Sequence, residues 1–203
     1  MIRNIVFDLG NVLISFKPEE FFDNNGYGEE AKNAIINEIF RSREWQMLDN
    51  GDLSTNEAIK SLSSNSSLET EEIASIFNLR IKIMFPLTAN TKLLPALKKR
   101  GFKLYYLSNF PDDIFDEISN KYDFFEYFDG GIISARVNAS KPDRKIFEIL
   151  LGKYFLSPRE CLFIDDSELN VKAAESFGMT GLHIKNPEDL KKQIEKALLG
   201  QSG

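Results

Sequence analysis

The chain has 203 residues, of which 42% are hydrophobic and 28% charged, a balance that suits one sizeable core, with or without a small second domain. A net charge of −6 does not suggest a nucleic-acid footprint, which would need a basic face, so the expected ligand is a small molecule. The single cysteine, Cys161, excludes an intrachain disulfide and argues against a cysteine-based zinc site; it reads as a buried structural thiol.

In chain order, the first apolar run is NIVF at 4–7, which stops on Asp8 and is followed by Gly10 and Asn11. Further apolar runs lie at 102–107, 130–134, 161–164 and 181–184. Their near-continuous apolarity is that of strands covered on both faces, as in a parallel sheet. Helical patterns alternate with them. LLPALKKRG (93–101) places lysines and an arginine in its last turn before Gly101, Ser167 is the expected N-cap of a helix over 167–178, and Pro187 stands near the start of a helix over 187–199. Strand–helix alternation from residue 88 onward predicts an α/β doubly wound parallel sheet. Residues 17–87 show no good strand but helix-like stretches near 18–24, 29–42, 55–63 and 70–84, with a polar loop over 61–72 and Thr70 as cap. This predicts a small helical domain inserted into an α/β core made of 1–16 and 88–203. No signal peptide pattern or membrane-length apolar run is present, so a reducing, cytoplasmic setting is expected, with no membrane partner.

The predicted strand ends carry the chemistry. Asp8 ends the first, Ser108 and Asn109 the second, and Asp165 and Asp166 the fourth. In an open parallel sheet, ligands bind beyond the carboxyl ends of the strands. Acidic strand ends that face one another repel unless a cation sits between them, and an all-oxygen donor set suits Mg²⁺. Lys141, ahead of Pro142 and the predicted helix DRKIFEILL, supplies a point charge for phosphate or carboxylate. Taken singly, each feature is an ordinary cap or turn; their joint order along the chain is what those readings leave unexplained.

Four ordered motifs, FDLGNVL, LSN, KPD and FIDDSELN, resemble those of the haloacid dehalogenase-like hydrolases, in the branch with a helical cap between the first and second motifs. Within that branch the first motif is similar to that of sugar phosphatases of the alpha-D-glucose-1-phosphate phosphatase type. The resemblance implies a Mg²⁺-dependent phosphatase of a small phosphorylated metabolite, with sugar phosphates favoured. Asp8 would be the nucleophile that forms an aspartyl-phosphate. Ser108 and the backbone N–H of Asn109 would hold phosphoryl oxygens, Lys141 would offset charge, and Asp8, the Gly10 carbonyl, Asp165 and Asp166 would hold the metal, with Asn170 orienting the acidic pair. Trp45, in the cap, is an expected substrate contact. His183 and the aromatic cluster at 122–131 read as structural. The resemblance says nothing of oligomeric state.

One position departs from the family pattern. Gly10 stands where most phosphatases of this superfamily carry a second Asp, the group that protonates the leaving oxygen and activates water. Better leaving groups, a cap residue such as Glu44 or Asp49, or slow turnover would each account for the gap. The alternatives are a 2-haloacid dehalogenase, which the acidic pair argues against, and a catalytically weak binding or scaffold protein on the same fold.

Overall fold

The computed structural model describes residues 1–199. Strand β1 (Asn4–Phe7) is buried along its whole length and leads through a tight loop to β2 (Ile14–Phe16). Five helices follow: α1 (Pro18–Asn24), α2 (Glu29–Ile35), which continues as a π-helical turn over Ile36–Phe40, α3 (Arg43–Asn50), α4 (Thr55–Asn65) and α5 (Thr70–Ile83). Strand β3 (Met84–Pro86) returns to pair antiparallel with β2. The remainder runs α6 (Thr88–Thr91), α7 (Leu93–Lys99), β4 (Lys103–Ser108), α8 (Asp112–Lys121), β5 (Gly130–Ile133), α9 (Ser134–Val137), α10 (Arg144–Lys153), β6 (Cys161–Asp165), α11 (Glu168–Ser176), β7 (Thr180–His183) and α12 (Leu190–Leu199).

The main sheet has the order β5-β4-β1-β6-β7 and is parallel throughout. Alternating side chains of its central strands enter different cores. Ile5, Phe7, Leu104, Leu162 and Ile164 pack with α7, α8 and α12 on one face. Val6, Tyr105, Leu107, Cys161 and Phe163 pack with α10 and α11 on the other. Both faces are therefore apolar, which is why the strands read as unbroken hydrophobic runs. The aromatic stretch at 122–131 lies in the first of these cores, where Phe128 meets Phe7 and Tyr106 edge-on. Cys161 is fully buried, and burial pushes its thiol up to about 11. Helices α1–α5 enclose a third core around Phe22, Ile39, Trp45, Leu62 and Phe77. Among the described residues, no helix is long and apolar enough to cross a membrane.

Several local expectations differ from the structure. The 17–87 segment contains a strand, β3, and the pattern did not show it because three residues are too few for an alternation. Residues 43–50 form a complete helix, capped by Ser42 through its hydroxyl at 3.0 Å from the Trp45 N–H. The supposed loop from Ser61 is helical through Asn65, because Ser63, Ser64 and Asn65 turn their side chains back onto carbonyls four residues earlier. Thr70 is the first helical residue and Glu69 holds the cap position without a side-chain bond. Helix α10 begins at Arg144, with Asp143 rather than Pro142 at its entry; the Asp143 side chain accepts from the Lys145 N–H. Ser167 stands at the cap of α11 but its side chain makes no capping bond.

Candidate active site

Register places the polar groups. Phe7 of β1 lies level with Tyr106 of β4 and Ile164 of β6, so the next residues of the adjacent central strands β1 and β6, Asp8 and Asp165, stand side by side at the carboxyl edge of the sheet. The Asp8 N–H donates to the Ile164 carbonyl at 2.8 Å. The chain order reverses around β1, with β4 on one side and β6 on the other, and a crevice opens at such a switch point.

Asp8, Asp165 and Asp166 each offer a carboxylate oxygen within 4.8 Å of the others. The Lys141 ammonium reaches Asp8 at 2.9 Å and Asp165 at 2.7 Å. Ser108 Oγ donates to Asp8 Oδ1 at 2.8 Å, and the Leu9 N–H donates to the same oxygen at 2.7 Å. Asp165 is fully buried and accepts from the Ser167 N–H and from Asn170 Nδ2. It holds Lys141 and the start of α11 in place. Asp166 is half-buried and accepts from Asn11 Nδ2 at 3.1 Å.

Burial pushes the Asp8 carboxyl up to about 7; the charges of Asp165 and Asp166 add to the rise and Lys141 opposes it. Burial likewise raises Asp166, with Asn11 opposing. Burial works against the charge of Lys141, but Asp8 and Asp165 more than offset this and hold it above the usual lysine value. Three carboxylates face one ammonium here, so full ionisation leaves two negative charges uncompensated. A divalent cation matches that excess and removes the cost of ionising Asp8.

A family model described as haloacid dehalogenase-like hydrolase matches residues 2–178, and its span takes in every group just placed. The chain belongs to the haloacid dehalogenase-like hydrolase family. Its relatives include the sesquiterpene phosphatase astK of Aspergillus oryzae, 30% identical over 88% of both chains. The D-ribitol-5-phosphate phosphatase of Bacteroides thetaiotaomicron is 23% identical over 96% of this chain and 97% of its own. Six further curated relatives are longer, and the chain spans 19–42% of their length. In fold it resembles a HAD-family enzyme of Bacteroides thetaiotaomicron solved with magnesium and inorganic phosphate, with a TM-score of 0.71, 22% identity and coverage of 90% of this chain and 94% of that one.

In this hydrolase the acidic trio fits Mg²⁺, a small hard ion that takes oxygen ligands and keeps several waters. Gly10 follows Asp8 by two residues on the same rim, and a Cβ built on it would meet nothing within 4 Å. Packing therefore does not force a glycine there. The Asn109 side chain, apart from the backbone N–H expected at the phosphoryl oxygens, clamps the next loop, accepting from the Lys141 N–H at 2.8 Å and donating to the Lys141 carbonyl at 2.9 Å. Trp45 is buried and stacks on Phe16 with ring centroids 5.9 Å apart. It also walls a cavity of about 100 Å³ with Gly10, Asp49 and Asn109. His183, read from the sequence as structural, has Nε2 at 2.9 Å from the Asp166 carbonyl.

Sequence reasoning missed Asn11 as a site residue. Its left-handed backbone (φ 51°) is a conformation asparagine tolerates, and it turns the chain from β1 into β2. The side chain then accepts from the Phe16 N–H and donates to Asp166. Asparagine directly after a glycine was the only available signal, and it reads equally as a plain turn. Glu44, named beside Asp49 as a cap acid, accepts from Ser61 Oγ at 2.8 Å and does not line the cavity wall.

Proposed function

We propose that this hydrolase is a Mg²⁺-dependent phosphatase that cleaves a small phosphorylated metabolite through an aspartyl-phosphate on Asp8. The observation that carries the reading is the convergence of three carboxylates, one lysine and one serine hydroxyl on the crevice beside β1. Its phosphatase relatives support it. Asp8, the Gly10 carbonyl and Asp166 would hold Mg²⁺, with Asp165 behind them; the ion's contribution is to neutralise charge on the transferring phosphoryl group. Residues 17–87 act as the cap and 1–16 with 88–203 as the core.

Asp8 attacks phosphorus in line as the ester oxygen departs, and water later attacks the acyl phosphate. Lys141 holds the Asp8 carboxylate in place and offsets charge on the phosphoryl oxygens, which Ser108 Oγ and the Asn109 backbone N–H also bind. Phosphoryl transfer asks for positioning and charge compensation more than for covalent assistance, and a buried lysine between two carboxylates supplies both.

Sugar phosphates form the first substrate class to test. A second reading rests on the cavity wall, which is mostly apolar: Phe16, Trp45, Met84, Phe110 and Pro111 surround only Asp49 and Asn109. Such a wall favours an alcohol with an apolar body over a polyhydroxylated ring, because buried hydroxyls without partners are costly. The experiment is a panel of phosphate monoesters with and without Mg²⁺, containing glucose 1-phosphate, glucose 6-phosphate, a prenyl phosphate and an aryl phosphate. Mg²⁺-dependent release of phosphate that disappears in Asp8→Asn is expected. Hydrolysis that survives either loss overturns the mechanism, and a chain inert on the whole panel is a scaffold rather than an enzyme.

A further inference from the structure

The wall of the cavity contributed by the cap carries one carboxyl that the groups on the core do not employ. Asp49 is the seventh of eight residues of α3. Among the described residues its side chain makes no hydrogen bond and no ion pair. It lines the same cavity as Gly10, with Phe16, Trp45, Met84 and Phe110 around them. A carboxyl with no structural partner thus shares a small apolar space with the position where a second acid is missing. The space in front of Gly10 is open.

The backbone around Asp49 is latched to the core. Ser134 Oγ donates to the Asp49 carbonyl. Asn138 Nδ2 donates to the carbonyls of Asn50 and Gly51 at 3.4 and 3.2 Å, and Ser140 Oγ donates to Asn50 Oδ1 at 2.9 Å. Gly51, at φ +80°, passes α9 so closely that a Cβ there would strike the Ala135 backbone. These contacts join two segments some 85–90 residues apart in sequence, and they fix where the end of α3 sits against the core, with Asp49 and Gly10 on one cavity. Burial pushes the Asp49 carboxyl up to about 7; the Asp8 charge adds to the rise and Arg80 opposes it. A carboxyl in that range is protonated in part near neutrality and can both give and take a proton.

We propose that Asp49 is the general acid–base of the reaction, carried on the cap in place of the carboxyl that Gly10 lacks. The proposal rests on the reading of Asp8 as nucleophile. In the first half, Asp8 forms a bond to phosphorus, the ester P–O bond breaks, and the departing oxygen takes the proton of the Asp49 carboxyl. In the second half, the Asp49 carboxylate takes a proton from water as the water oxygen bonds to phosphorus. The Asp8–phosphorus bond breaks, phosphate leaves, and Asp49 is again protonated. The latch makes the acid part of the closed state only, so an open cap presents the nucleophile without its proton donor.

The test compares first-turnover rates on two esters, p-nitrophenyl phosphate, whose leaving group needs no proton, and a primary alkyl phosphate, whose leaving group does. In Asp49→Asn the alkyl ester is expected to lose about 10²–10⁴-fold while the aryl ester stays within about threefold of the wild type. Asparagine keeps the size of aspartate, and no hydrogen bond is lost. Should that variant not fold, Asp49→Ala gives the same ratio between esters. Restored alkyl turnover on adding Gly10→Asp to Asp49→Asn supports the proposal further. Equal losses on both esters, or no loss on either, overturn it. Asp8→Asn keeps the two ideas apart: it must abolish both esters, and survival of both in that variant overturns the nucleophile assignment itself.

Discussion

At the rim of the sheet, polar groups answer one another. Lys141 touches Asp8 and Asp165, Ser108 donates to Asp8, Asn170 donates to Asp165 and Asn11 to Asp166. The wall facing that rim from residues 17–87 is built the other way, from packed aromatic rings and one carboxyl that makes no hydrogen bond among the described residues. The difference separates two tasks. Groups that must meet every phosphoryl group in one geometry are held by a strand register and a buried ion pair, which do not move independently. On the proposed reading, the groups that would meet a particular alcohol sit on helices joined to the core by the β2–β3 pair and by side-chain hydrogen bonds, a joint of the kind that opens and closes in gated enzymes.

The largest effect expected from breaking the rim is on catalysis. Asp8→Asn keeps the shape of the residue but removes its nucleophilic oxygen, and phosphatase activity should fall by on the order of 10⁴-fold or more, measured by phosphate release. Loss of the cation to a chelator should do the same, reversibly on adding Mg²⁺. Lys141→Met tests the rim as structure. It leaves Asp8 and Asp165 facing each other without their shared ammonium, and removing one member of a buried ion pair costs about 3–5 kcal/mol. A denaturation midpoint unchanged in that variant would mean that the lysine serves the substrate alone.

What the sequence disclosed follows the same division. The sheet was legible because its strands are buried on both faces and so appear as unbroken apolar runs, and the acids at their ends stood out against those runs. Asp8, Ser108, Lys141, Asp165 and Asp166 could therefore be assembled before any coordinates. The β2–β3 pair could not be, because two three-residue strands some 70 residues apart gain their meaning only from each other. The role of Asn11 depends on a turn that brings it to Asp166, 155 residues away. The serine-rich end of α4 concealed a helix because its side chains satisfy the backbone locally. Asp49 was one acid among several near Trp45; only the cavity and the absence of a partner single it out.

Breaking the cap should first show in stability against pH. The Asp49 carboxyl sits at about 7 in the folded chain against 3.8 for a free aspartate, so the folded chain keeps its proton to higher pH than the unfolded chain does. Its contribution is complete below about pH 4 and is lost as pH rises through about 7. Wild type should therefore lose up to about 4 kcal/mol relative to Asp49→Asn between pH 4 and pH 8 in metal-free chemical denaturation. Asp8 titrates in both proteins, so its own contribution largely cancels in the comparison. A difference that does not change with pH would mean that the carboxyl is well solvated and the cavity around it open.

The smallest effect tests the latch. Ser140→Ala removes one hydrogen bond, from Ser140 Oγ to Asn50 Oδ1, and deletes no side chain that contacts Asp8, Asp165 or Asp166. One such bond is worth about 0.5–1.5 kcal/mol, which corresponds to a two- to twelvefold change in the balance between closed and open cap. If closure serves to bring Asp49 over Asp8, alkyl phosphate turnover should fall by about that factor while first-turnover cleavage of an aryl phosphate, which needs no proton, changes little. If closure serves to hold the substrate, both esters should fall together. The sign of that split decides whether the hydrogen bonds at the end of α3 position an acid or merely a lid.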